Sequence, residues 1–211
     1  MQIVLPLAMG VVLSAAGVML PGLLNMTAAK LSLKEGRQRA VIFALGAALV
    51  VFFQTYIAVS FAKFLYGEPH IIYVLEEIGL VIFTVLTIFF LFIARRKKDK
   101  KTKEVVKLGS RWGNFLLGAL LSALNFFPIP YYVFISVSFS SYGYFTFDRL
   151  FIFLFVLGVM TGSFLVFYLY IVFFKRIENR TEFFMNNVNY FIGGVTGLIS
   201  VITLIKIIRS H

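Results

Sequence analysis

Six continuously apolar stretches, each about 20 residues or longer, alternate along the chain with short polar segments. They cover residues 3–27, 37–64, 71–94, 112–140, 150–174 and 185–208. A helix of about 20 apolar residues crosses a hydrocarbon core about 30 Å thick. The stretches are apolar in continuous runs and not at alternate positions, so they predict helices and not barrel strands. A helix also closes its own backbone hydrogen bonds, as lipid demands. The pattern therefore predicts an all-α integral membrane protein of six transmembrane helices.

Composition agrees. Of 211 residues, 60% are hydrophobic and only 14% charged, too few to clothe a soluble domain of this size. The bilayer is the expected solvent. The net charge of +11 is unevenly spread. Lys30, Lys34, Arg37 and Arg39 lie in the first inter-span segment and at its border with the second span, and Lys175, Arg176 and Arg180 in the fifth. The third holds the densest cluster, from Arg95 through Lys107 to Arg111. The opposite segments hold only Lys63, Arg149, Lys206 and Arg209. Basic loops stay in the cytoplasm, so both termini are expected outside. No folded basic domain is left to present this charge to nucleic acid, and that partner is not expected. With no cysteine and only His70 and His211, neither a disulfide framework nor a cysteine-based or all-histidine metal site is expected. The first stretch lacks the basic flank of a signal peptide and reads as a membrane helix.

The charged segment 95–111 divides the chain into a first three-helix half, 1–94, and a second, 112–211. Three spans per half would set related halves upside down relative to one another. In such inverted repeats, polar or proline-interrupted breaks at corresponding places point to a transporter's central site. The first span of each half carries one: Pro21-Gly22-Leu23-Leu24-Asn25, and Asn125-Phe126-Phe127-Pro128-Ile129-Pro130. Proline removes a donor and clashes with the preceding turn, which frees carbonyls inside the membrane. Asn25 and Asn125 bring a donor and an acceptor to the same level. They either bind a small polar solute or merely satisfy the freed carbonyls. Gln54, in the middle of the second span, is expected to face the bundle interior, toward solute or another helix. Glu76 and Glu77 fall near the outer interface when counted back from Arg95 at about 1.5 Å per residue. Glycines spaced as in Gly158…Gly162 and Gly193…Gly197 allow close helix approach, within the bundle or across a homodimer face.

The segment from Pro21 to Gly46 resembles the signature region of the lysine exporter (LysE) superfamily, which includes the homoserine and threonine exporters. Pro21-Gly22, Asn25, Gly36-Arg37, Arg39-Ala40 and Leu45-Gly46 fall into its frame without a gap. Phe115 to Gly118 and Leu124-Asn125 resemble its fourth-span stretch. The departures are Leu23 and Leu24 for a proline and an asparagine, Phe126-Phe127 for Pro-Lys, and Val50-Val51 for Gly-Asp. The resemblance implies export of amino acids or similar small solutes across a bacterial inner membrane, often by proton exchange. No Asp or Glu lies deep in any predicted span to carry that proton. An uncharged or less polar substrate is expected.

The leading expectation is a secondary transporter, without cofactor or catalytic residues, that works by alternating access. Its solute would bind among Pro21, Gly22, Asn25, Gln54, Asn125, Pro128 and Pro130. The competing expectation is a membrane scaffold that holds a partner through the basic segment or the glycine faces. Without a buried nucleophile–base pair, paired carboxylates or metal ligands, an intramembrane enzyme is not expected.

Overall fold

The structure, a computed structural model, describes residues 3–20, 22–67, 80–81, 84–85, 87–93 and 110–210. Pro21, His70, Glu76, Glu77, His211 and nearly all of the basic segment lie outside the described residues, as does most of the third predicted span. The described elements are all helical: α1 (Val4–Val18), α2 (Leu23–Glu35), α3 (Arg37–Tyr66), a π-helical turn (Phe89–Ile93), α4 (Arg111–Ala123), α5 (Pro128–Ser141) and α6 (Arg149–Ser210). Helix α3 and the Arg149–Phe173 part of α6 are each long and apolar enough to cross a membrane. The bent pairs α1–α2 and α4–α5 add two more spans if each pair counts as one.

Two elements differ from the hydropathy reading. Residues 28–36 read as the first basic loop, yet α2 carries them to Glu35. Ala28, Ala29 and Leu31 are buried, and Ala, Leu, Lys and Glu are all strong helix formers. The whole turn into α3 is made by Gly36, at φ 91° and ψ 158°, a conformation open in practice to glycine alone. The second difference is at 175–184, read as the fifth loop, which α6 runs through without interruption. Between Gly162 and Gly193 there is neither glycine nor proline to stop it.

The chain forms two compact units, and each draws on both sides of the basic segment. One comprises Met1–Phe64 with Val105–Glu178, the other Leu65–Glu104 with Asn179–His211. In the second, a methyl group placed on Gly197 would meet the Thr87 side chain at 3.2 Å.

The first unit is held by two helix crossings of the same design. A Cβ on Gly10 of α1 would stand 2.2 Å from the Phe155 carbonyl oxygen of α6, and one on Gly158 would stand 2.3 Å from that of Leu7. At the other crossing, a Cβ on Gly46 of α3 would stand 2.2 Å from the Phe115 oxygen of α4, and one on Gly118 would stand 2.0 Å from that of Phe43. Each glycine thus abuts the carbonyl three places before its partner glycine. Both crossings are parallel. Along α1 and α6, Leu7 meets Gly158 and Val11 meets Gly162. Along α3 and α4, Phe43 meets Gly118 and Gln54 reaches Ser122. Such contacts are the close backbone packing that small residues permit in lipid. Gly158 and Gly162 are therefore occupied within the chain.

Apolar side chains fill the rest. Tyr132, Phe155 and Phe145 pack edge to face, with centroids 6.1 Å and 5.1 Å apart. Phe145 pins the turn between α5 and α6, and Asp148 then starts α6. The Asp148 carboxylate accepts from the Thr146 hydroxyl at 2.6 Å and from the Phe151 N–H at 2.9 Å. These bonds, the Thr146 hydroxyl first, hold its carboxyl below the usual range.

Ala at Gly118 or Gly46 must push two backbones apart. We expect a loss of about 1–3 kcal/mol in unfolding stability. Ala at Gly194, which meets nothing within 4 Å, serves as the control and leaves the midpoint unchanged or raised. Thermal unfolding in detergent measures all three. The depressed Asp148 carboxyl sets a pH dependence. Its stabilisation is complete above the unfolded-state value of about 3.9 and is lost as pH falls through the lower folded value. The midpoint difference between wild type and Asp148→Asn, present at neutral pH, should vanish in strong acid.

Candidate functional site

Both breaks lie where proline and asparagine predict them. Helix α1 ends at Val18 and α2 leaves at 83° to it, while α5 leaves α4 at 59°. Pro128 is the first residue of α5, where its missing N–H is harmless. Gly22 precedes α2 in an extended conformation and offers no side-chain cap.

Each break leaves carbonyls without helical partners, and carboxamides take most of them. At the first, Asn25 Nδ2 donates to Val18 O at 2.7 Å and to Leu20 O at 2.8 Å. The Tyr170 hydroxyl donates to Met19 O, between them, at 2.9 Å. At the second, Gln54 Nε2 donates to Ser122 O at 3.1 Å and to Asn125 O at 2.9 Å. Asn125 Oδ1 accepts from the Phe127 N–H at 3.4 Å. Satisfying the freed carbonyls is therefore one function of Asn25, yet its amide is only half used. Asn25 Oδ1, Gln54 Oε1 and Ser122 Oγ are buried and have no partner among the described residues.

Between the breaks lies a cavity of about 370 Å³. Gly17 and Val18 of α1, Leu23 to Asn25 of α2, Val51 of α3 and Leu121 of α4 line it. Asn125, Phe127, Pro128, Tyr131, Tyr132 and Phe167 complete the wall, with Leu20, Gly22 and Leu124. No Asp, Glu, Lys or Arg is among these described lining residues. The Phe127 and Tyr131 rings stack at 5.7 Å, and the Tyr131 hydroxyl donates to Leu13 O at 2.8 Å.

Of the residues singled out in the sequence, Gly22, Asn25, Asn125 and Pro128 line this one cavity. Gln54 does not line it and acts through the Asn125 carbonyl. Pro130 is exposed on α5 and does not line it, and Pro21 lies outside the described residues. Tyr131 was missed, although it stands one turn beyond Pro128, on the same helix face. Among the described residues no three His, Asp or Glu gather to hold a metal.

A second polar cluster closes the α2–α3 turn. Glu35 Oε2 pairs with Arg39 at 2.9 Å and accepts from Asn114 Nδ2 of α4 at 3.4 Å. Ser32 Oγ donates to Ile171 O of α6 at 3.1 Å. The Arg37 guanidinium donates to the Tyr168 hydroxyl of α6 and lies 4.8 Å from its ring centroid. Residues read only as loop charge thus fix the turn to two other helices.

Apolar helices around a cavity at two helix interruptions define a multi-pass helical membrane protein. The family model of the LysE type translocators matches residues 15–206, and the chain belongs to that family of membrane transporters. No curated protein and no solved structure matches it.

Gln54→Leu removes the donor to Ser122 O and Asn125 O. Ser122 O keeps the Asn125 N–H at 3.0 Å, whereas Asn125 O is orphaned. The expected loss is about 1–3 kcal/mol, read as a lowered unfolding midpoint in detergent.

Proposed function

We propose that the protein is a secondary carrier of the bacterial inner membrane that exports amino acids or related small solutes by alternating access. The solute sits in the cavity between the two breaks, against Asn25 and Asn125. The carrier is built as two inverted three-helix halves, 1–94 and 112–211, joined by the cytoplasmic segment 95–111, with both termini outside.

The observation that carries this reading is the matched pair of glycine crossings. Gly10 stands to Gly118 as first span to fourth, and Gly46 stands to Gly158 as second span to fifth. Contacts of Gly10 with Phe155 and Gly158 with Leu7 are repeated, mate for mate, by Gly118 with Phe43 and Gly46 with Phe115. Two related halves that exchange helices in this way surround one central cavity with a break on each side. Interrupted helices at such a place are the usual setting of a carrier's solute site. Membership of a translocator family supports the same reading.

Purified protein in liposomes loaded with an amino-acid mixture tests it. Saturable efflux of at least one component is expected, reduced about tenfold or more by Asn25→Ala with Asn125→Ala. Absence of saturable flux, or flux indifferent to both substitutions, contradicts carriage through this cavity. Neutralising the Lys and Arg residues between positions 95 and 107, with orientation preserved, should leave flux intact.

A further inference from the structure

We propose that α2 is the cytoplasmic gate of the carrier: a rigid helix that pivots at Gly22, turns at Gly36 and is latched shut by Ser32, Glu35 and Arg37. The inference rests on the carrier reading above, and it gives a task to the polar cluster at the end of α2 remote from the cavity.

Both ends of α2 are glycines with room around them. A Cβ on Gly36 would meet nothing within 4 Å, and one on Gly22 would meet only Leu20 O, at 3.9 Å. At the crossing glycines Gly10, Gly46, Gly118 and Gly158, the same atom would stand 2.0 to 2.3 Å from a carbonyl oxygen. The crossings therefore fix α1, α3, α4 and α6 against one another, whereas the two joints leave α2 able to turn as a unit. A few residues at the ends of an element, absorbing a large backbone change, are what hinge motion needs. Ala28 and Ala29 are fully buried, so the middle of α2 meets its neighbours through methyl groups that interlock little.

The first turn of α2, from Gly22 to Asn25, lines the cavity, and Glu35 lies about 15 Å further along the helix. At that end Ser32 Oγ donates to Ile171 O of α6 at 3.1 Å, and Glu35 Oε2 accepts from Asn114 Nδ2 of α4 at 3.4 Å. Arg37, just past the joint, donates to the Tyr168 hydroxyl of α6. Lys30, Lys34, Arg37 and Arg39 assign this end to the cytoplasm. Between the two ends, Ala28 and Leu31 pack with Phe43, Ala44, Phe167 and Ile171 in one apolar cluster. Phe167 belongs to the cavity wall and Ile171 to the latch, so the cluster fills the way from one to the other. Withdrawal of α2 opens that way. The latch is made of hydrogen bonds at a helix end, which exchange for bonds to water at small net cost.

The chain has no cysteine, so one can be placed in the path. Ala28→Cys, in the full-length protein in sealed vesicles, is exposed to a membrane-impermeant thiol reagent from each side in turn. Lys103→Cys and Tyr144→Cys report the two sides. Ala28→Cys should react from the Lys103 side only. Ser32→Ala with Tyr168→Phe, which removes two ties and keeps the aromatic ring, should speed that reaction about fivefold or more. Val156→Cys, equally buried on α6, should show no such rise, whereas a general loosening of the fold would raise both. If Ala28→Cys proves unstable, Leu31→Cys, at a position 2% exposed, takes its place with the same expectation.

Absence of reaction from both sides overturns the proposal, as does reaction from the Tyr144 side or a rate indifferent to the weakened latch. A parallel rise at Val156→Cys also overturns it, by reducing the cluster to a structural tie. Saturable amino-acid efflux alongside any of these results leaves the carrier standing without this gate. One-sided reaction of Ala28→Cys with no efflux of any solute removes the carrier instead.

Discussion

In hydrocarbon, a backbone carbonyl without a hydrogen bond costs several kcal/mol, and no water is at hand to relieve it. This chain nevertheless opens two helices within its apolar stretches. The rest of the first unit is arranged around that cost. Asn25 and Tyr170 take the Val18, Met19 and Leu20 carbonyls, and Gln54 takes those of Ser122 and Asn125. The donors come from α2, α6 and α3, so each break draws at least one donor from a helix outside it, Tyr170 at the first and Gln54 at the second. The breaks cannot persist without the bundle.

The glycine crossings supply the second half of the design. Donors such as Gln54 and Tyr170 reach the breaks only if α3 and α6 lie against α4 and α1 at backbone contact. Gly46 and Gly118 allow one approach, Gly10 and Gly158 the other. Close packing at these points leaves the space between the breaks unfilled, because the helices diverge beyond Val18 and Ala123. The 370 Å³ cavity is thus a consequence of where the helices are broken and where they touch. The carboxamides that close the breaks are only partly used: Asn25 Oδ1 and Gln54 Oε1 have no partner among the described residues.

Much of this was readable in the chain. Pro128 and the Pro21-Gly22 pair mark both breaks, because proline has no donor and disrupts the turn before it. Asn25 and Asn125 mark the polar level, and the apolar lengths mark the membrane class. The unread parts depend on tertiary contacts. Nothing local to Tyr131 says that its hydroxyl reaches Leu13, or local to Tyr170 that it reaches Met19. Lys30 and Lys34 suggested a loop because charge was counted there, whereas Ala28, Ala29 and Leu31 decide that α2 is a packed helix. Charge likewise suggested a loop at 175–184, where Lys, Arg and Glu are as compatible with helix as with solvent. Pro130 was grouped with Pro128 by sequence nearness, yet two residues along a helix point to different faces.

The most direct test uses the absence of cysteine from the chain. A single cysteine at Leu121, on the cavity wall, is exposed to a membrane-impermeant thiol reagent from each side of sealed vesicles in turn. Cysteines at Lys103 and Tyr144 serve as reporters of the two sides expected from the distribution of basic residues. Alternating access predicts that Leu121→Cys reacts from both sides, while Lys103→Cys and Tyr144→Cys react from one side each, and from opposite ones. Reaction of Leu121→Cys from one side alone, or from neither, would contradict it.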